Sequence, residues 1–114
     1  MNNVTSVRNI LKNNTTFLGD LVNDLHGRLW FIHNDILVSV FMQGMDNDDA
    51  CLDFEIVGNV CNCNVVFDSF NNRVFVNSEA LTERSTVTQD DVRSVGVFVD
   101  QFFPKNWDVS VDLW

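Results

Sequence analysis

Val4, Val7, Ile10 and Leu11 recur at helical spacing, and after Thr15-Thr16 a second set, Phe17, Leu18, Leu21, Val22 and Leu25, does the same. The pattern predicts two short helices, or one interrupted helix, over residues 4–26. Thr16 suits the N-cap of the second helix, Asp20 would lie near its positive end, and Gly27 after His26 suits the left-handed residue that closes a helix.

From Arg28 the period changes to two. Leu29-Trp30-Phe31-Ile32-His33 and Ile36-Leu37-Val38-Ser39-Val40-Phe41 flank Asn34-Asp35, a pair suited to a two-residue hairpin turn. That register puts Leu29, Phe31, Val38 and Val40 on one face, with Arg28, Trp30 and Ser39 on the other. A second hairpin is expected at Gly58-Asn59. With Val57 opposite Val60, Leu52 meets Val65, Phe54 meets Cys63 and Ile56 meets Cys61, while Asp53 meets Asn64 and Glu55 meets Asn62, so every pair agrees in polarity. A third turn at Asn71-Asn72 brings Phe67 opposite Val76, Ser69 opposite Val74 and Asp68 opposite Phe75.

Residues 78–88 are polar, and Thr88-Gln89-Asp90-Asp91 reads as a helix start with acids in its first turn. Val92, Val95, Gly96, Val99, Phe102 and Phe103 repeat at helical spacing before Pro104 stops them. The tail alternates strictly, with Trp107, Val109, Val111 and Leu113 on one side, and should join a sheet. The expected fold is α+β: N-terminal helices, an antiparallel sheet of about five or six strands built from consecutive hairpins, one further helix near the C-terminus and a last strand, with helices on one sheet face. The 114 residues suit a single globular domain, residues 1–114.

Charge then narrows the function. Sixteen acidic residues against seven basic ones give a net charge of -9, while 46% hydrophobic residues exclude disorder by composition. Phosphates repel such a surface, which disfavours direct binding to nucleic acid or to an anionic membrane and favours a basic partner. No secretory signal or apolar stretch of membrane-spanning length is visible, so a cytoplasmic location is expected.

Candidate chemistry is sparse. Serine nucleophile elbows, glycine-rich phosphate loops and zinc-hydrolase patterns are absent, and neither His26 nor His33 has a neighbour that marks a catalytic role. Cys61 and Cys63, on a strand, would stand about 6.5–7 Å apart on one face, too far for an easy disulfide, and read as small buried hydrophobes. No cofactor, metal site or catalytic residue is expected.

What remains is the polar sheet face. Asp53, Glu55, Asn62, Asn64, Asp68 and Asn77 fall on it under the expected register, Asp46, Asp48 and Asp49 lie in the loop entering it, and Phe75 and Trp30 take outward positions as apolar anchors within an acidic rim. Such a face can simply be solvated. With Lys12 and Lys105 as the only lysines, it lacks the interleaved signs of a merely soluble surface. The expected function is therefore that of a cytoplasmic inhibitor of a basic protein, with the general character of the bacterial immunity proteins that occlude the cleft of a nuclease toxin. A DNA-mimic, phage-type anti-defence inhibitor is the alternative, and a small enzyme using carboxylates or a structural subunit the third.

Overall fold

The first helix, α1 (Asn3–Asn14), buries Val4, Val7 and Leu11 as the spacing predicts. It ends at Thr15, whose backbone N–H and hydroxyl both donate to the Leu11 carbonyl. The structure, a computed structural model, describes residues 3–22, 26–45 and 50–114.

The second helix does not form: its place is taken by strand β1 (Thr16–Val22). The i, i+3, i+4 apolar spacing is satisfied instead by a β-bulge between Phe17 and Gly19. Phe17 then packs into the core under the helices and Leu18 into a second core on the opposite face. Thr16 is accordingly no N-cap, Asp20 forms an ion pair with Arg8 of α1, and Gly27 lies within strand β2 (His26–His33). Leu25, the end of the expected helix, lies outside the described residues.

Strand β2 and strand β3 (Ile36–Gln43) form the expected hairpin, with Leu29 opposite Val40, Phe31 opposite Val38 and Trp30 opposite Ser39. Asn34 and Asp35 have φ of 49° and 64°, the left-handed pair that a tight hairpin turn with the right twist requires.

The hairpin expected at Gly58-Asn59 is overturned. Strand β4 (Cys51–Asn59) pairs antiparallel with β3, with Leu52 opposite Met42, Phe54 opposite Val40 and Ile56 opposite Val38. Matching polarity could not select the partner, because any alternating strand matches any other. After Asn59 the chain leaves the sheet: Val60 N–H donates to the Asp35 carbonyl, Cys63 N–H to the Val60 carbonyl, and Asn62 is left-handed at φ 63°. Cys61 is therefore exposed, and Cys63 is partly buried against the second core.

The edge of β4 that Cys61–Val65 would have used is taken by the last strand, β8 (Asp108–Leu113), running parallel to it. The main sheet has the order β1-β2-β3-β4-β8, and a separate small sheet holds β5 (Val65–Asp68), β6 (Arg73–Val76) and β7 (Glu79–Ala80). The third hairpin is present, two residues out of the expected register: Phe67 faces Val74 and Asp68 faces Arg73. A shift of two leaves every side chain on its expected face. The crossover that a parallel strand needs contains helix α2 (Gln89–Phe102). Thr88 caps it as expected, in a reciprocal pair of hydrogen bonds with Asp91.

One face of the main sheet carries Leu29, Phe31, Val38, Val40, Leu52, Phe54 and Ile56 and packs with Val95, Phe98 and Val99 of α2 and with α1. On the other, the small sheet covers the half nearest the Asn34-Asp35 turn, enclosing Trp30, Leu37, Val57, Val60 and Val74. Trp30 is thus only 7% exposed, its ring edge-on to Trp114 at 6.1 Å between centroids. No described helix is long and apolar enough to cross a membrane.

Gly19 lets the two sheets meet. Its φ is +154° and a Cβ there would run into the Phe67 ring of β5. Gly19→Ala is expected to lift the small sheet at a cost of about 1–3 kcal/mol, read as a lowered urea midpoint. Exposure of Trp30 and Trp114 should accompany it as a red shift in fluorescence. An unchanged midpoint and spectrum would show that the small sheet does not rest on this contact.

Candidate functional site

Beyond the edge of the small sheet, the second face of the main sheet is open. Pairing register sets its rows: Arg28, Phe41, Asp53 and Ser110 lie side by side across β2, β3, β4 and β8, and Ser39, Glu55 and Asp112 across β3, β4 and β8. The strands place these groups for a simple reason. Leu52, Phe54 and Ile56 of β4 are fully buried under the helices, so strand alternation turns Asp53 and Glu55 to the other face. Val109 and Val111 do the same for Ser110 and Asp112.

Arg28 is committed locally. Its Nη1 donates to Glu55 Oε1 at 2.8 Å and to the hydroxyl of Ser39, and its guanidinium lies 5.4 Å from the Phe41 ring centre. Ser39 is fully buried, and this bond satisfies its hydroxyl. Glu55 therefore has its cation, whereas Asp53 accepts from the Ser110 hydroxyl, at 2.9 Å, and forms no ion pair among the described residues. Asp112 is fully exposed and its carboxyl is held above the usual range, first by its hydrogen bond to Asp53, then by the charge of Asp53, with Glu55 adding to it. Asp53 thus lies close enough to Asp112 to disfavour its ionisation, and neither carboxyl joins an ion pair among the described residues.

A third row holds Gln43, Cys51 and Asp108, and the Cys51 thiol donates to Asp108 at 3.8 Å. Burial, and then the charge of Asp108, push that thiol upward, away from the thiolate a nucleophile needs. Among the described residues no three His, Cys, Asp or Glu side chains are gathered to hold a metal ion. His33 lies at the other end of the molecule, its ring 4.6 Å from that of Phe98, and partial burial lowers its pKa. It borders a shallow groove of about 430 Å³ with Asp90, Arg93, Ser94 and Gln101 of α2, which contains no paired nucleophile and base.

The residues expected on one polar face are dispersed. Asp53 and Glu55 stand together as expected. Asn62 sits in the turn after β4. Asn64 and Asn77 clamp the open end of the β5–β6 hairpin through two bonds of 2.8 and 2.9 Å. Asp68 holds the hairpin tip, accepting from the Phe70 and Asn71 backbones and the Asn71 amide side chain, which lower its pKa, the Asn71 side chain most. Phe75 is half-buried on the outer side of the small sheet between Val66 and Ala80. Trp30 is interior rather than an exposed anchor, because the small sheet covers it. Asp46, Asp48 and Asp49 lie outside the described residues.

The acidic members that sequence reasoning missed are Asp108 and Asp112. The strict alternation of the tail already put both on one face, but nothing in it said that the tail docks beside β4. Phe70 was also missed: it is 95% exposed at the tip of the β5–β6 hairpin, a position that its Ser-Phe-Asn-Asn surroundings mark as a turn. No family model, curated protein or solved structure matches the chain.

Proposed function

We propose that this protein is an acidic, cytoplasmic binding protein that neutralises a basic protein partner, acting as an immunity-type inhibitor that occludes the active cleft of a nuclease toxin. The observation that carries this reading is the open half-face of the main sheet, where Ser110 and Asp112 of β8 lie beside Asp53 and Glu55 of β4 while the nearby Arg28 is engaged by Glu55. A lysine or arginine arriving there meets Asp53 and Asp112, which form no ion pair among the described residues. Nucleases hold phosphate with such side chains, so the surface that repels nucleic acid attracts the protein that binds it. Inhibition by steering and occlusion needs no chemistry from the inhibitor.

The test is a tagged pull-down from the native cell's lysate, washed at low and moderate salt. Recovery of one stoichiometric basic protein whose nuclease activity the pure chain suppresses supports the proposal. A DNA-binding protein displaced by competing DNA would replace it with the DNA-mimic reading. A partner retained only through neutral or acidic surfaces would refute both.

A further inference from the structure

The main sheet has two edges, and they differ. Strand β1 at one edge is interrupted by the bulge between Phe17 and Gly19, a device that spoils a template for further pairing. Strand β8 at the other runs in unbroken register from Asp108 to Leu113, with no proline or bulge, and no described strand pairs with its outer side. The N–H groups of Asp108 and Trp114 donate inward, to the carbonyls of Ala50 and Ile56. Alternation along the strand then turns the N–H and C=O groups of Val109, Val111 and Leu113 outward.

We propose that this edge is where the basic partner engages: an extended, lysine- or arginine-bearing segment adds to β8 as a sixth strand of the main sheet. The inference rests on the acidic-surface reading above and specifies its mode. Backbone bonds to Val109, Val111 and Leu113 would supply affinity, and alternate side chains of the added strand would lie over Asp108, Ser110 and Asp112, next to Asp53. Charge selects the occupant. Two copies of this chain joined edge to edge would bring the aspartates of both onto one strip of sheet, which like-charge repulsion opposes, whereas a segment with basic residues at every second position matches the strip.

The probe is a seven-residue peptide of alternating lysine and valine, capped at both ends and titrated at millimolar concentration and low ionic strength. Carboxyl carbon shifts of Asp53 and Asp112 report the acidic face, and hydrogen exchange of the Val109, Val111 and Leu113 amides reports the edge. Strand addition is expected to slow exchange at all three amides at least about tenfold. Val111→Pro removes an outward donor without breaking the ladder to β4, as proline on an edge strand can, and Val111→Ala controls for lost packing. The proline variant should bind the peptide at least about tenfold more weakly than the alanine variant, since a blocked edge loses its backbone bonds. Shifts at the carboxyls with unprotected amides and equal binding by the two variants would overturn the edge inference and leave the acidic-surface reading standing. No shift at either set of groups would overturn both.

Discussion

Replacing Asp53, Asp108 and Asp112 together by asparagine is expected to slow association with the proposed basic partner at least about tenfold at low salt, and by much less at high salt, because long-range steering is screened there. The change removes three negative charges from a chain of net charge -9, all from one strip of the main sheet. Glu55 is left in place because it holds Arg28, and through Arg28 the buried Ser39 hydroxyl. Association rates by stopped flow across a salt series measure the effect. The same rate for variant and parent at low salt would remove this strip from the binding surface.

Stability should move the other way. Asp112 has its pKa raised in the folded state, so it binds its proton more tightly there than in the unfolded chain. Its contribution is fully present below the unfolded carboxyl pKa and is lost as pH rises through the higher folded value. At pH 7 the crowding of Asp112 against Asp53 and Glu55 therefore opposes folding, and the triple variant should melt no lower than the parent and somewhat higher. Asp68 has the opposite sign: hydrogen bonds from Asn71 and Phe70 lower its pKa, so its contribution is present above the unfolded pKa and lost as pH falls through the folded one. Asp68→Asn should thus lower the melting temperature at pH 7 while leaving the low-salt association rate unchanged.

The elements that could be read from the chain were those whose signals are local. The Asn34-Asp35 turn, the capping box at Thr88 and the helical spacing of Val4, Val7 and Leu11 each involve residues close in sequence, and each is present in the fold. The misread elements depended on partners far along the chain. Residues 16–22 became a strand because β2 was available beside them, and a bulge let Phe17 and Leu18 enter different cores. Asp53 was correctly placed opposite the core face of its strand, yet its neighbours are Phe41 and Ser110 rather than Asn64. A pattern of period two states which way a side chain points and leaves open which strand lies beside it. For that reason the acidic site came half from β4, where it was expected, and half from the tail.

Phe54→Ala is expected to have the largest effect on stability of any single substitution considered, a loss of about 3–5 kcal/mol. Phe54 has no solvent exposure and packs against the rings of Phe31 and Phe103, with centroids 6.2 and 5.1 Å away. It lies on an interior strand between β3 and β8, so its removal opens a cavity in the core under the helices that the surrounding side chains fill only in part. Against a typical domain stability of about 5–15 kcal/mol, such a loss leaves little margin. Chemical denaturation should show a large drop in midpoint. Phe70→Ala removes the same ring from a position 95% exposed and should change stability by less than about 0.5 kcal/mol. A small effect at Phe54 would mean that the helices do not rest on β4 as described, and with that the outward placement of Asp53 and Glu55 would lose its cause.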